Sequence, residues 1–286
     1  MSIIKHQGPF GTGYHPIAAI DGPHSEMLMD FGILKLAAGA VWESDADRER
    51  AVLLLTGKVR FVWTEGDTES AVEWERSNVL DQDPVALHSG PGTRIRVQAL
   101  DDEAELVLQA RPNDQWFPTR LWRPGDYRSE RFGEGTLQET STRIVRTIFD
   151  AATAPHSQMV LGEVVNFPGK WSSYPPHDHA HPEIYHYRVF PDHGHGHAEC
   201  EDEVYKITSG DTYAIPPGVT HAQCAAPGYA LYYVWAIPHL PGDRFGPDSR
   251  VFRREHTWLM DGNAPIWPDA PLDTVLAHRA GEPEER

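Results

Sequence analysis

The stretch from Tyr174 to Tyr187 reads YPPHDHAHPEIYHY and carries three histidines at alternate positions, followed by a proline and a glutamate. Side chains two residues apart in an extended strand point to the same face, so His177 and His179 would present two imidazoles side by side. Pro182 cannot donate a backbone hydrogen bond and predicts a bend, after which Glu183 opens the next strand and turns its carboxylate toward the pair. The stretch therefore predicts two successive β-strands that bring metal-ligating side chains together.

A second motif further along the chain supplies another imidazole. The stretch GDTYAIPPGVTH ends at His221, directly after a tight Pro-Pro-Gly turn that predicts delivery of this histidine from a third strand. Three histidines and a carboxylate suit a divalent ion with coordination positions left open for a substrate or water. We predict that His177, His179, Glu183 and His221 bind one divalent metal ion per chain, with zinc favoured over manganese, iron or nickel. His181 is an alternative ligand because it is in register with the first pair, although the proline after it favours a turn position.

The rest of the chain predicts an all-β fold. Its apolar runs, such as AVLLLTGKVRFVW and YALYYVWAI, are short and separated by turn-forming residues, and none sustains a helical period. A stretch rich in proline and arginine, from Arg111 to Gly135, interrupts the strands as a linker would. We predict two β-domains in tandem, covering residues 1–125 and 126–286.

The two predicted domains differ in their metal ligands. A Pro-Gly turn at positions 91 and 92 matches the turn before His221, but the position that corresponds to this histidine is Ile95. Residues 25–87 contain no histidine either. We therefore predict a metal site in the second domain and none in the first. The charged residues at positions 45–50 are interpreted as a solvated turn.

Composition narrows the class of partner. The formal net charge of −17 and the scattered basic residues argue against nucleic acid and anionic membranes. No apolar run is long enough to cross a bilayer, and the N-terminus has no segment typical of a signal peptide, so a cytoplasmic location is expected. A small anionic molecule remains a suitable partner because local arginines and a metal can set the field of a pocket. We also expect a homo-oligomer.

The spacing H-x-H-x3-E, followed by G-x5-P-x-G-x2-H, resembles the two metal-binding motifs of the cupin superfamily, whose fold is a jelly-roll β-barrel. A narrower resemblance covers most of the chain. Its segments are WSSYPPHDH, EIYHYRVF, DEVY, GDTYAIPPG and APGYALYYVWA, with FGILKLAAGAVWE and DRERAVLLLTGKV in the first half. These segments resemble the 5-deoxy-glucuronate isomerase family, which consists of bicupins of myo-inositol breakdown and is related to 5-keto-4-deoxyuronate isomerase. Two cupin domains in tandem are therefore expected.

This resemblance implies an aldose–ketose isomerase that acts on a small sugar acid, most simply 5-deoxy-glucuronate. Such a reaction moves a proton between adjacent carbons through an enediolate, so it needs a general base or acid beside the metal. Arg188 has the opposite strand parity to Tyr185 and could instead face a neighbouring barrel. The candidates for catalysis are Glu203, Tyr185 and Tyr187, and those for substrate binding are Lys170, Arg188 and Tyr233.

Two other functions use the same residues. A metal-dependent bicupin dioxygenase would bind iron or copper at the same four ligands and would consume oxygen. A non-catalytic cupin would bind sugar acids without converting them. The HGHGH segment at positions 193–197 could form a second metal site, but glycine-separated histidines lack a fixed geometry and a solvated loop is favoured.

Overall fold

The computed structural model describes residues 3–262 and 264–267, so the end of the predicted second domain lies outside the described residues. Antiparallel β-strands dominate, and the helices in this part of the chain are short 3-10 turns at Ser25–Met27, Leu137–Glu139, Pro247–Ser249 and Arg254–Met260. None of these helices is long and apolar enough to span a bilayer. The strands of the first half are β1 (Ile3–Ile4), β2 (Gly13–Ala18), β3 (Asp30–Leu36), β4 (Val41–Ser44), β5 (Glu49–Glu65), β6 (Thr68–Arg76), β7 (Ala86–Ser89), β8 (Arg94–Ala99), β9 (Ala104–Arg111) and β10 (Arg120–Trp122). Those of the second half are β11 (Arg128–Phe132), β12 (Arg143–Phe149), β13 (Met159–Asn166), β14 (Trp171–Asp178), β15 (Glu183–Phe190), β16 (Gly196–Cys200), β17 (Glu203–Ile207), β18 (Thr212–Ile215), β19 (His221–Ala225), β20 (Ala230–Pro238) and β21 (Val251–Phe252).

The first half forms one curled β-structure around an apolar interior. The strand order is β10-β7-β5-β9-β3-β2, and the long strand β5 also pairs with β6 and β8, while β8 pairs with β4. Strand β5 is rich in β-branched and aromatic residues, which favour extended structure. Because β5 begins at Glu49, this residue and Arg50 are buried, and the interpretation of positions 45–50 as a solvated turn is wrong for these two.

The second half consists of two sheets that pack face to face. One has seven strands in the order β1-β18-β15-β20-β13-β12-β11, and the other has five in the order β17-β16-β19-β14-β21. Their interior is filled by apolar and tyrosyl side chains that include Ile207, Tyr187, Tyr213 and Leu231. This barrel carries the predicted metal ligands on β14, β15 and β19, except for His179, which lies just after the end of β14.

The chain passes from the sheets of the first half to those of the second between Trp122 and Arg128. One other segment of the chain also lies in the sheet of the opposite half. Strand β1 at the start of the chain pairs with β18 of the second barrel, and Ile3 packs into its interior core. Residues 3–4 of the predicted first domain therefore lie in a sheet of the second barrel. Ile3 is 4% exposed, and the burial of its apolar side chain stabilises the pairing of β1 with the second barrel.

The two barrels are joined by a shared apolar cluster and a buried ionic group. The carboxylate of Glu163 on β13 accepts hydrogen bonds from Arg76 of the first barrel at 2.7 and 3.0 Å. Arg146 and the hydroxyl of Tyr232 donate to the same carboxylate, each at 2.7 Å. Removing one partner of such a group would leave an uncompensated buried charge, which is strongly destabilising.

Candidate metal centre

Strand pairing brings the histidines of the two motifs side by side. His177 on β14 and His221 at the start of β19 are direct partners across the sheet. The register of β14 shifts between Ser172 and His177, and Ser173 within this irregularity has a φ of 54°, in the left-handed region. Irregularities of this kind re-aim the side chains that follow them. This irregularity in β14 therefore sets the direction of the His177 side chain.

His177, His179 and His221 form a buried group in which one ring nitrogen of each lies within 4.8 Å of the others. Each ring also places Nδ1 against the carbonyl oxygen of a residue two positions away, at 3.2, 2.7 and 3.0 Å respectively. A carbonyl oxygen can only accept, so the proton of each neutral ring lies on Nδ1. The Nε2 atoms then keep a free lone pair, which is the form of imidazole that binds metal ions.

The carboxylate of Glu183 lies against the same nitrogens. Its Oε2 atom is 3.2 Å from Nε2 of His179 and 3.3 Å from Nε2 of His221. Within the described residues, Nε2 of His221 is buried without a well-aligned hydrogen-bond partner. Buried lone pairs that face each other and an anion require a cation between them. The three histidines can hold a metal ion, and this set of donor atoms fits a divalent one.

Burial and hydrogen bonding set the charges of this group. Burial lowers the pKa of His177 to about 3, so its ring is neutral at neutral pH. Burial alone would raise the pKa of Glu183, but the adjacent rings of His179 and His221 lower it to about 2. Burial opposes protonation of His179 as well, yet the carboxylate of Glu183 raises the pKa of that ring. The site therefore combines the neutral ring of His177 with an ionised carboxylate.

His181 lies outside the group of three. Its Nε2 atom donates a hydrogen bond to the carbonyl oxygen of Asp243 at 2.9 Å, and its own carbonyl accepts from Nδ1 of His179. The residue therefore orients His179 and anchors the segment around Asp243. This arrangement removes His181 as the alternative ligand.

A cavity of about 460 Å3 opens beside the histidines, at the mouth of the second barrel. One wall is the ring of Trp235, which lies on Gly162 of the neighbouring strand. A Cβ atom at Gly162 would come within 2.3 Å of this ring, so a larger residue would displace it. His177, His179, Glu183, Tyr185 and Tyr233 line the same cavity.

A chain of hydroxyl and amide groups runs along the wall next to the histidines. Ser172 lies 2.6 Å from the hydroxyl of Tyr233, which also accepts a hydrogen bond from Nε2 of Gln223 at 2.9 Å. The same amide donates to Ser173 at 2.8 Å, and Ser173 lies 3.2 Å from the hydroxyl of Tyr185. Burial raises the pKa of both tyrosines, so their phenols are neutral at neutral pH.

Three arginines line the cavity, none of which the sequence motifs indicated. Arg128 is paired with Asp150 at 2.5 Å. Arg143 and Arg250, by contrast, have no carboxylate within ion-pair distance in the part of the chain that the structure describes. The signal for Arg143 was strand parity, because it shares a face of β12 with Val145, which also lines the cavity.

Several residues predicted for catalysis or substrate binding lie elsewhere. Glu203 is exposed at the start of β17 and accepts a hydrogen bond from Tyr205, so it is not a base beside this cavity. Lys170 lies in the turn between β13 and β14, and Tyr187 is enclosed in the barrel core; neither lines the cavity. The cavity does include Tyr185 and Tyr233.

Arg188 also lies away from the cavity. It forms a salt bridge with Glu105 of the first barrel, as its opposite strand parity indicated. Its guanidinium is therefore committed to the junction between the barrels, which corrects its prediction as a substrate-binding residue.

The chain is similar in sequence to known proteins. The profile of the KduI/IolB family matches residues 3–259. Among curated relatives, the 5-deoxy-glucuronate isomerase of Geobacillus thermodenitrificans is 28% identical over 255 residues, which cover 81% of this chain and 86% of the relative. The enzyme of the same name from Lacticaseibacillus casei is 25% identical over 285 residues, covering 91% and 99%.

Solved structures share the fold. An IolB-like protein from Salmonella typhimurium LT2 superposes with a TM-score of 0.77 at 20% identity, covering 91% of this chain and 100% of that one. The oxalate decarboxylase of Lactobacillus farciminis superposes with a TM-score of 0.63 at 13% identity, covering 96% and 91%. The predicted fold of two cupin barrels in tandem is confirmed, as is the resemblance read from the motifs. With a match that spans nearly all of the described residues, this chain belongs to the KduI/IolB family.

Proposed function

We propose that this protein is a metal-dependent aldose–ketose isomerase that acts on a deoxyuronate, with 5-deoxy-glucuronate of myo-inositol catabolism as the first candidate substrate. The observation that carries the proposal is the buried histidine group, which opens into a cavity that also holds unpaired arginines and tyrosine hydroxyls. Relatives that share 25% and 28% of their residues with this chain bear the name of that activity. The reaction needs polarised oxygens, a bound carboxylate and a mobile proton, and the cavity offers a group for each.

We assign His177, His179, Glu183 and His221 as the residues that hold one divalent ion per chain, with zinc as the first candidate and manganese, iron or nickel as the others. When bound, the ion supplies a Lewis acid that stabilises negative charge developing on the substrate oxygens. The contribution of the protein is orientation, since backbone carbonyls fix the rings of all three histidines through Nδ1.

Arg143 and Arg250 are the groups that we assign to the substrate carboxylate. Nη1 of Arg143 donates to the carbonyl of Ser141 at 2.8 Å, which positions the guanidinium and leaves other N–H groups free. A net charge of −17 would repel a uronate, so the local positive charge of this pair is needed to admit it. These two arginines replace Lys170 and Arg188 in that role.

Tyr185 and Tyr233 are the residues that we assign to hold and move protons at the substrate oxygens. Both hydroxyls belong to one hydrogen-bonded chain through Ser173, Gln223 and Ser172. Because their phenols stay protonated at neutral pH, they can donate to an oxygen as negative charge develops on it.

The test of the function is conversion of 5-deoxy-glucuronate by protein loaded separately with zinc, manganese, iron and nickel, followed by NMR in deuterated water. The expected product is the ketose, with deuterium at the former aldehyde carbon where the proton exchanges with solvent. Lack of conversion of this and other uronates with all four metals would contradict the proposal. Oxygen uptake with another substrate would instead indicate a dioxygenase, and binding of uronates without turnover a non-catalytic cupin.

A further inference from the structure

The first barrel contains a cavity of about 510 Å3 that the proposed function does not use. Its wall residues come from β2, β3, β4, β5 and β9. The strand order β7-β5-β9-β3-β2 in the first barrel repeats the order β18-β15-β20-β13-β12 in the second. Strands β12, β13, β14, β15 and β20 line the cavity at the metal centre. The two cavities therefore occupy equivalent places in the two barrels.

The turn between two strands fixes the correspondence residue by residue. Gly92 and Gly218 follow a proline in equivalent turns and have φ values of 77° and 75°. The residue three positions before the glycine pairs with Arg50 in the first barrel and with Glu183 in the second. A cationic side chain thus stands where the metal centre has its carboxylate.

The residues that follow the two glycines correspond in the same way. Three positions after the glycine, Ile95 pairs with Ser44, whereas His221 pairs with His177. The first barrel therefore has Arg50, Ser44 and Ile95 at positions that metal-site residues hold in the second. In place of an ion held by anions and imidazoles, it contains a fixed guanidinium.

The guanidinium of Arg50 is 4% exposed and has spare donors. Nη1 donates to the carbonyl and hydroxyl oxygens of Ser44 at 3.0 and 2.9 Å, and Nη2 donates to the carbonyl of Thr93. Nε is buried and has no partner among the described residues. Of the five N–H groups of arginine, Nε–H and one on Nη2 therefore remain, and these two form a fork that matches a carboxylate.

Other wall residues complement the ring of a sugar. The rings of Tyr14 and Trp42 also line the cavity and offer apolar faces. The neighbouring Arg48 is paired with Asp30, which leaves Arg50 as the guanidinium with donors to spare in this wall.

We propose that the first barrel binds a sugar acid, a small hydroxylated monocarboxylate, without a metal ion. Arg50 binds the carboxylate, and the rings of Tyr14 and Trp42 lie against the sugar. This second site is independent of any turnover in the second barrel, and its ligand is of the same chemical class as the proposed substrate.

The test is equilibrium dialysis of the zinc-loaded full chain against radiolabelled D-glucuronate. Wild-type protein is expected to bind one molecule per chain more than either of two variants, Arg50→Gln and Ala46→Trp. The first removes the guanidinium, and the second fills the cavity from Ala46, an exposed wall residue, without altering the core. Arg60→Gln is the matched control, because Arg60 is exposed further along β5 and should leave binding unchanged.

If Arg50→Gln does not fold, Ala46→Trp still decides the question. The proposal is overturned if the variants that fold bind as much glucuronate as the wild type, or if inorganic phosphate fills the site as well as glucuronate does. Failure of the isomerase proposal would give a different experimental result. In that case 5-deoxy-glucuronate is not converted, while the loss of one bound glucuronate molecule in Ala46→Trp persists.

Discussion

Oε2 of Glu183 lies 3.2 Å from Nε2 of His179, and both side chains are buried. Since Nδ1 of this histidine already donates to a backbone carbonyl, the two facing atoms are both acceptors in the neutral tautomer. Either a proton or a metal ion must lie between them. A metal ion at this point would be bound by Glu183 as well as by His179.

We expect Glu183→Gln to lose metal affinity together with activity. Removing a ligand should weaken binding by more than the roughly 10–100-fold that is typical of residues behind the ligands. Zinc content by elemental analysis and competition with a chelator would measure it. A variant that stays fully metallated but inactive would reassign Glu183 to catalysis.

The purified protein should hold about one divalent ion per chain, because the group of histidines lies in the second barrel. The double variant His177→Ala/His179→Ala should lose that ion, as determined by elemental analysis. A matched control is His195→Ala/His197→Ala, which removes two histidines from the HGHGH segment and should keep full metal content. Two ions per wild-type chain, or full metal in the first double variant, would show that the site is misplaced.

Arg143→Gln should impair binding of a uronate more than the chemical step. A hydrogen bond to a charged group contributes about 1.5–3 kcal/mol, so KM should rise about tenfold or more while metal content stays unchanged. Lys170→Gln is the control, since this lysine lies outside the cavity and its loss should change KM little. Equal effects of the two substitutions in steady-state kinetics would contradict the assignment of Arg143.

Two tyrosines of one strand offer a matched pair for the proton-transfer step. Tyr185 lines the cavity, whereas Tyr187 is buried in the barrel core and its hydroxyl has no partner among the described residues. Tyr185→Phe should lower kcat by about 100-fold or more with the metal retained, in the range typical of acid–base groups. Tyr187→Phe should leave kcat nearly unchanged. The assignment is wrong if both variants keep wild-type turnover.

Glu49 should make folding stability depend on pH. Burial alone would raise its pKa, but hydrogen bonds from His88, Ser157 and Gln158 hold the pKa below its usual value. A depressed folded-state pKa contributes stability above the unfolded value of about 4.3, and this contribution is lost as pH falls through the folded value. Glu49→Gln should therefore lower the free energy of unfolding by about 1.5–3 kcal/mol at neutral pH, and by less in acid.

Urea unfolding of the wild type and Glu49→Gln across this pH range would measure the difference. Glu73→Gln is the control, because Glu73 is exposed on β6 and its substitution should have little effect at any pH. A stability difference between the wild type and Glu49→Gln that stays constant down to acid pH would contradict the expected linkage.

Local pattern was sufficient to predict the fold and the three histidines that lie together in the candidate site. Strand period, turn residues and the two histidine motifs predicted an all-β fold and the group that the structure brings together, His177, His179 and His221. These signals are short-range: a spacing of two residues sets a shared face, and a Pro-Gly turn sets the next strand. Strand parity also predicted that Tyr185 faces the barrel interior, unlike its neighbours on the opposite face of the strand. It predicted as well that Arg188 faces outward.

Only the tertiary structure decided which charges surround the cavities. Arg143 and Arg250 reach the metal centre from β12 and from the segment before β21, far in the sequence from the motif strand β15. Glu203 lies close to the motifs in sequence yet is exposed on an outer strand, and Arg50 stands in for Glu183 through a register that no motif records. The sequence by itself determined local geometry because neighbouring residues impose it. The partners of each charge depended on which distant strands pair, and the cooperative packing of the barrels decides that.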